Sequence, residues 1–361
     1  MEGKAVPPPR GAPSQPIFLP KGKTMVNTEL FSDAVRREKT KCEEKFSPYL
    51  DLRLVTSTVT PDVTFAILVH KPKAPAPVKL GTHGWHMSIS DFAPREECHT
   101  EYLTVDVDMR GRAFSTGEPD CNGLELYDVY DAYRFVLREY ADLVAANSPV
   151  YFESGSGGGG NALAIAGKFP DLFSAVNALC PISDYEAWYR FDEMGEFRDE
   201  MDVWIGKSPD EDPEAYAARS GLTLLPNLMT YLFIAHGNTD LRVPYPPVRH
   251  YVDVAKKMGL AERVQLYTLH GVGTRDHFGR ATRRQMALMR ARARKNLCTH
   301  TEIPALPERG ELLVAGFLVT RHFEVFTDLD RVVKIRYDLA ARTVTPIDTH
   351  APIRVTWTDN K

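Results

Sequence analysis

A glycine-rich turn between a strand and a helix is the feature that most constrains this chain. Residues 150 to 170 read VYFESGSGGGGNALAIAGKFP, in which a β-forming run leads through glycines and two serines into a helix-forming run. Because glycine has no Cβ, such a tract permits backbone conformations and close approaches that other residues forbid. Two kinds of site use a strand, a glycine turn and a helix in this order: a phosphate-binding loop and a nucleophile elbow.

The phosphate-binding alternative fails at the end of the tract. A P-loop ends in Gly-Lys-Ser or Gly-Lys-Thr, whereas Asn161, Ala162 and Leu163 follow these glycines. The glycine spacing of dinucleotide-binding turns does occur here, but a run of glycines satisfies almost any glycine pattern. The sequence therefore favours the nucleophile elbow.

The elbow interpretation also selects one serine. A strained turn needs small residues two positions before and two positions after the nucleophile. Ser156 has Ser154 before it and Gly158 after it, whereas Ser154 would have the bulky Phe152 at the first of these positions. The sequence therefore predicts Ser156 as the nucleophile.

The composition is that of a globular protein. With 361 residues, 43% hydrophobic and 25% charged, the chain can form one large α/β domain with additions. A net charge of −4 gives no general attraction to nucleic acid. No apolar run reaches the roughly 18 residues that a membrane span needs. We therefore expect no nucleic-acid partner and no membrane partner.

The N-terminus and the cysteines favour a cytoplasmic location. Residues 1–40 form a proline-rich arm without the apolar core of a signal peptide. The five cysteines are Cys42, Cys98, Cys121, Cys180 and Cys298. Their odd number and wide spacing, without a Cys-x-x-Cys pair, argue against a disulfide framework and against structural zinc. We expect no metal and no other cofactor.

Strands and helices alternate over residues 41–300. This alternation predicts an α/β fold with a mainly parallel central sheet and helices on both faces. A polar insertion at 184–226 is expected to form a helical cap, and residues 301–361 look like strands without helices, a C-terminal β extension. In parallel sheets the chemistry gathers at the carboxyl ends of the strands. Asp240, His270 and His277 all follow predicted strands.

Several stretches in the correct order resemble one family. ESGSGGGGNALAIAGKFPDLFSAVNALCPISDY, IAHGNTDLRVPYPPVRHYVDVAKKMG and GVGTRDHFG, together with THGW, resemble the catalytic domain of prolyl oligopeptidase-type α/β-hydrolases over about residues 50–298. The resemblance implies Ser156 as nucleophile, Asp240 as acid and His277 as base. Two departures stand out: Ser154 replaces a glycine, and the family's Gly-His-Gly-Phe is stretched to Thr-Arg-Asp-His-Phe. His270 therefore stays an alternative base.

A serine hydrolase also needs hydrogen-bond donors for the oxyanion that forms in the transition state. One is expected to be the backbone N–H of Gly157, directly after the nucleophile. The other is expected to be the backbone N–H of Trp85, in the loop that His83 and Gly84 shape.

Two further segments carry expectations. DMRGRAFSTG resembles a stretch of acetyl xylan esterases and X-prolyl peptidases, and Asp108 and Arg110 within it are expected to form a buried pair that holds the loop. In the cap, Trp188 and Tyr189 are candidate substrate-binding residues that would stack on sugars or aromatic acyl groups. The alternative is that the cap aromatics form a small core of their own.

These features predict a serine hydrolase that cleaves carboxylic esters through an acyl-enzyme. A small-molecule or oligosaccharide ester, with deacylation of a carbohydrate, is the first choice of substrate. An aminopeptidase or dipeptidyl peptidase is the alternative, and a non-catalytic scaffold is the second alternative. The β-propeller of prolyl oligopeptidases needs several hundred residues, so we expect none within these 361. The C-terminal β extension is a candidate homo-oligomer contact.

Overall fold

A computed structural model describes residues 43–89, 98–192, 194–347 and 351–358. The proline-rich arm at 1–40 and Cys42 lie outside the described residues, so the expectations about them stay predictions. Within the described part no helix is long and apolar enough to cross a membrane.

Nine strands form the central sheet. They are β1 (Lys45–Phe46), β2 (Leu50–Thr56), β3 (Thr64–His70), β4 (Val78–Thr82), β5 (Leu103–Val107), β6 (Val150–Gly155), β7 (Ala175–Leu179), β8 (Tyr231–Gly237) and β9 (Val264–Leu269). The order across the sheet is β1-β2-β3-β5-β4-β6-β7-β8-β9. Strands β4 to β9 run parallel to their neighbours among themselves, whereas β1, β2 and β3 pair antiparallel. The predicted mainly parallel sheet is confirmed.

Helices cover both faces of this sheet. The described helices are α1 (Glu125–Glu139), α2 (Gly157–Lys168), α3 (Tyr185–Phe191), α4 (Arg198–Trp204), α5 (Pro213–Ala217), α6 (Tyr245–Lys257) and α7 (Arg283–Thr299). Strand β8 shows the two faces, because side chains alternate along a strand. Leu232 and Ile234 join the main core with α1, α2 and α6. Phe233 and Ala235 point the other way and pack on α7.

The segment between β7 and β8 holds the three short helices α3, α4 and α5. Their apolar side chains, among them Trp188, Phe197, Met201 and Tyr216, form a separate buried cluster. Trp85, from the loop after β4, packs into the same cluster. The cap therefore rests directly on the loop that follows β4.

A second, antiparallel sheet follows α7. Its strands are β10 (Arg309–Ala315), β11 (Phe317–Val319), β12 (Phe323–Phe326), β13 (Val332–Asp338), β14 (Thr343–Pro346) and β15 (Arg354–Trp357), in the order β14-β13-β10-β11-β12-β15. Phe317 packs its ring against Tyr127 of α1 and against Phe169, which follows α2, with centroids 5.4 and 5.7 Å apart. The other face, including Val314 and Ile335, buries its own cluster. The predicted C-terminal β structure is confirmed, and it packs on the core of its own chain.

A buried lysine lies at the junction of the two sheets. Lys168, the last residue of α2, donates its ammonium to the carbonyl of Ala315 and lies 4.4 Å from the centre of the Phe317 ring. Burial and, to a smaller extent, the charge of Arg219 lower its pKa to about 7, against the opposing effect of Asp120. The folded state therefore disfavours the protonated form.

Replacing Lys168 with methionine is expected to stabilise the protein more at pH 6.5 than at pH 9. Between about pH 7 and the unfolded pKa near 10.5, the unfolded chain binds the extra proton, so wild-type stability rises with pH by up to about 1.4 kcal/mol per unit. The variant lacks this group. Urea unfolding of both proteins at the two pH values measures the difference, and a variant-minus-wild-type difference independent of pH would contradict the assignment.

Candidate active site

Ser156 occupies a strained corner between β6 and α2. Its φ is 60° and its ψ is −123°, a conformation that non-glycine residues rarely adopt. Its N–H donates to the carbonyl of Leu179 at the end of β7, 2.8 Å away. The corner ends a parallel strand and begins a helix, so it lies at the carboxyl edge of the sheet, as a nucleophile elbow does.

Close packing explains why glycine follows Ser156 at the second position. A Cβ at Gly158 would lie 2.0 Å from the hydroxyl oxygen of Ser154 and 2.8 Å from the carbonyl oxygen of His83. Ser154 replaces the family's glycine without blocking the turn, because its hydroxyl donates to the carbonyl of Thr82 at 2.6 Å. The departure at position 154 is therefore accommodated by one hydrogen bond to β4.

Replacing Gly158 with alanine is expected to lower the free energy of unfolding by about 1–3 kcal/mol, because the new methyl group meets backbone that cannot move freely. Gly155→Ala is the matched control: its Cβ would lie 3.4 Å from Leu179, an ordinary contact. Urea unfolding measures both variants. Equal free energies of unfolding for the two variants would show that the space around Gly158 is larger than these distances indicate.

Ser156, His277 and Asp240 form one hydrogen-bonded chain. His277 Nε2 lies 2.7 Å from Ser156 Oγ, and His277 Nδ1 lies 2.7 Å from Asp240 Oδ2. The second oxygen of Asp240 accepts the N–H groups of Arg242 and Val243 at 2.9 and 3.0 Å. Burial raises the pKa of Asp240, but the hydrogen bond and charge of His277 and these two amides outweigh it, so the pKa is lowered. Asp240 is thus held as a carboxylate that orients the imidazole.

The alternative base, His270, lies elsewhere. It is exposed directly after β9, and its carbonyl accepts the side-chain N–H of Gln285. The stretched loop between β9 and α7 instead carries His277 back to Ser156. The structure therefore brings His277 to the nucleophile.

Two backbone amides lie beside Ser156. A Cβ on Gly157 would lie 2.7 Å from the backbone nitrogen of Trp85. The loop after β4 that carries Trp85, called the oxyanion loop below, therefore contacts the start of α2. His83 stabilises this loop: its Nδ1 lies 2.8 Å from the Gly84 carbonyl, and its Nε2 accepts the Met109 N–H at 3.0 Å.

His83 also determines where the Trp85 amide points. Burial lowers the pKa of His83 to about 4, so the ring is neutral and donates through Nδ1. In a trans peptide the C=O and N–H groups point in opposite directions. Because His83 binds the Gly84 carbonyl, the Trp85 N–H of the same peptide points away from His83. The sequence placed His83 in this loop but gave no sign of its two hydrogen bonds.

The expected pair of Asp108 and Arg110 is wrong. Arg110 instead binds Asp128 of α1 through two hydrogen bonds of 2.6 and 2.7 Å. Asp108 accepts the backbone N–H groups of Ile89 and Phe114 at 3.0 and 2.9 Å. Both side chains are buried and hold the loop after β5, as expected, but with different partners.

The cap aromatics form the cap's own core, and the substrate-binding expectation for Trp188 is wrong. Only 2% of Trp188 is exposed, and its indole N–H donates to the Arg242 carbonyl at 2.8 Å. Tyr189 donates its hydroxyl to Asp202 at 3.0 Å and packs its ring on Tyr216. Sequence periodicity cannot distinguish a cap core from a surface that stacks on substrate, because a cap core and a stacking surface both use aromatic residues on short helices.

Three exposed apolar side chains belong to or contact the segments that carry the site residues, and no sequence pattern pointed to them. Met87 contacts Gly84 in the oxyanion loop and Leu241 follows the acid Asp240; they are 58% and 63% exposed. Met194, 81% exposed, has its sulfur 3.6 Å from the guanidinium of Arg275, in the loop of the base. Exposed apolar side chains near a reactive group are candidates for contact with a ligand.

One group of side chains has the spacing of metal ligands. Among the described residues, ligand atoms of Cys180, Asp240 and His277 lie within 4.8 Å of one another. Burial raises the pKa of the Cys180 thiol well above its usual value, whereas a metal requires the thiolate. Asp240 and His277 are already bound to each other. These residues therefore do not fit a metal site.

Comparisons with known proteins agree with this geometry. The chain matches the prolyl oligopeptidase family model over residues 100–294. A search of curated proteins finds no match. Three similar solved structures share the fold. An acylaminoacyl peptidase bound to Z-Gly-Gly-Phe-chloromethyl ketone has 21% identity and a TM-score of 0.56, and the match covers 72% of this chain and 43% of that one.

The other two are a puromycin hydrolase variant and an esterase of Pyrococcus furiosus. For the puromycin hydrolase the identity is 16%, the TM-score 0.55 and the coverage 73% of this chain and 40% of that one. For the esterase they are 12%, 0.53, 80% and 99%. The chain thus spans less than half the length of the peptidase and of the puromycin hydrolase. The family match covers more than half of the 361 residues, and the chain therefore belongs to the prolyl oligopeptidase family of serine hydrolases.

Proposed function

We propose that this protein hydrolyses carboxylic esters through an acyl-enzyme on Ser156, with an acylated carbohydrate as the first substrate class. The observation that carries the proposal is the hydrogen-bonded chain from Ser156 through His277 to Asp240 beside the amides of Gly157 and Trp85. Nucleophile, base, orienting carboxylate and oxyanion donors are the parts that acyl transfer needs.

The reaction follows from these positions. His277 Nε2 takes the hydroxyl proton as Ser156 Oγ attacks the ester carbonyl, and the amides of Gly157 and Trp85 stabilise the resulting oxyanion. The imidazolium, stabilised by Asp240, gives its proton to the leaving alcohol, which departs and leaves an acyl-serine. A water molecule then repeats the sequence: His277 takes its proton, the acid is released, and the proton returns to Ser156.

The charges near the site favour an ester over a peptide with a free amino end. Such a peptide needs a carboxylate to bind its ammonium group. Glu200 of the cap is buried and accepts hydrogen bonds from Trp85 and His86. Glu196 is paired with Arg242 at 2.5 Å. Both cap carboxylates already have hydrogen-bond or ion-pair partners, and Met87, Leu241 and Met194 present apolar surface for an acyl chain instead.

The carbohydrate part of the proposal is supported by the resemblance of DMRGRAFSTG to the acetyl xylan esterases. The buried Trp188 offers no stacking face for a sugar. The peptidase alternative is kept because the similar solved structures include an acylaminoacyl peptidase. The non-catalytic scaffold is disfavoured by the short distances between Ser156, His277 and Asp240.

A substrate panel separates the alternatives. We expect turnover of p-nitrophenyl acetate and of acetylated xylo-oligosaccharides, and little turnover of aminoacyl anilides, with or without an N-acetyl group. The Ser156→Ala variant is the background control for every substrate. Activity confined to the anilides would establish the peptidase, and activity on simple esters alone would remove the carbohydrate from the proposal.

A further inference from the structure

A carboxylate of the cap binds two consecutive residues of the oxyanion loop. Glu200 of α4 is 1% exposed, and it accepts hydrogen bonds from the indole N–H of Trp85 and from His86 Nε2, the latter at 2.9 Å. Trp85 and His86 are consecutive residues of the loop that follows β4. One buried side chain of the cap therefore binds both residues at this point of the loop.

Ring packing reinforces these hydrogen bonds. The Trp85 ring lies edge-on to Trp188 and tilted against Trp204, with centroids 4.8 Å apart in both cases. The His86 ring stacks on Phe197 of the cap at 5.2 Å with an angle of 16°. On the other side of the loop, His83 binds the Gly84 carbonyl. The backbone amide of Trp85 is thus held between His83 and the cap.

We propose that Glu200 is a positioning residue that sets the Trp85 amide at the oxyanion through the Trp85 side chain, so that the cap completes the oxyanion hole. The proposal rests on the proposed function. An oxyanion donor must lie within a few tenths of an ångström of its productive position, and a displacement of about 1 Å can cost about 100-fold in rate. Because the amide acts on the transition state, losing its position lowers kcat more than it raises KM.

The test uses Glu200→Leu, Trp85→Phe and the double variant in the full chain. Trp85 and His86 both bind Oε2 of Glu200, so the single oxygen of a glutamine could still accept both bonds. Leucine keeps most of the side-chain volume and has no acceptor. Phenylalanine removes the indole N–H and keeps an aromatic ring and the backbone amide. The substrate is p-nitrophenyl acetate, whose small acetyl group needs no contact with the cap.

Each single variant is expected to lower kcat by about 10- to 30-fold with KM changed less than twofold, because one misplaced oxyanion donor costs at most about 100- to 1,000-fold. The rate of Ser156 labelling by a fluorophosphonate should fall by a similar factor. The double variant should resemble the single variants, because both act through one hydrogen bond. Glu186→Leu is the matched control: this exposed cap carboxylate pairs with Arg190, and its loss should leave kcat unchanged.

Three results would overturn the inference: a kcat like that of wild type in Glu200→Leu, a rise in KM alone, or losses that multiply in the double variant. Thermal unfolding of each variant shows whether it is folded, and Trp85→Phe still tests the bond if Glu200→Leu does not fold. Wild type that neither turns over esters nor reacts with the fluorophosphonate would sink the proposed function and the inference together. Active wild type with equally active variants would sink the inference alone.

Discussion

Ser156→Ala is expected to lower kcat/KM for p-nitrophenyl acetate by about 10⁴-fold or more, while the protein stays folded. Alanine cannot form the acyl-enzyme, and the chain from Asp240 through His277 then ends at a methyl group. His277→Ala should lose activity to a similar extent, because it removes the base that lies 2.7 Å from the hydroxyl of Ser156. A steady-state assay and far-UV circular dichroism measure activity and fold.

His270→Ala is the matched control for the base. It removes an exposed histidine of the same region, so activity close to that of wild type is expected. The double variant Ser156→Ala with His277→Ala should be no worse than either single variant, because the residues act as a unit. An inactive His270→Ala together with an active His277→Ala would show that the loop carrying the base adopts another arrangement during catalysis.

Asp240→Asn is expected to cost about 10⁴-fold in kcat with little change in KM. The carboxylate accepts the Nδ1–H of His277 and so leaves Nε2 free to take the Ser156 proton. An asparagine can donate at this position instead, which favours the tautomer with the proton on Nε2, facing the hydroxyl. The two amides of Arg242 and Val243 can still bind the remaining oxygen, so the loop is expected to keep its shape.

The pre-steady-state reaction distinguishes this explanation from a loss of substrate binding. In Asp240→Asn the first turnover with p-nitrophenyl acetate should be slowed as strongly as the steady state. Asp202→Asn is a control in the cap, where the carboxylate binds the Tyr189 hydroxyl away from Ser156. A variant at position 240 that reacts at the wild-type rate would show that His277 is oriented by something other than this carboxylate.

Some features of the site depend only on residues that are close together in the sequence, and local patterns predicted these features. The order strand, glycine turn and helix predicted the corner at Ser156, and small-residue spacing selected it over Ser154. The resemblance of IAHGNTDLRVP to the family placed Asp240 after β8. The turn at Ser156 could be predicted because backbone geometry at a turn depends on the residues of the turn itself.

Partners from distant parts of the chain could not be predicted in the same way. Arg110 binds Asp128, eighteen positions away on α1, rather than Asp108 two positions away. Glu200 reaches Trp85 across 115 positions. Such pairs depend on how the cap and α1 pack on the sheet, which no local pattern records. The choice between a buried and a substrate-facing Trp188 stayed open for the same reason, since the cap core also includes Trp85.

The helix that begins at the nucleophile ends under the antiparallel sheet of residues 309–357. Phe317 covers Phe169 there, and Ala315 receives the ammonium of Lys168. A shortened chain that stopped near residue 300 would leave an apolar face of α1 and α2 open to water and the lysine without its acceptor. The antiparallel sheet therefore shares a hydrophobic core with the catalytic fold. A domain exchange that joined two hydrolases near residue 300 would disrupt this core.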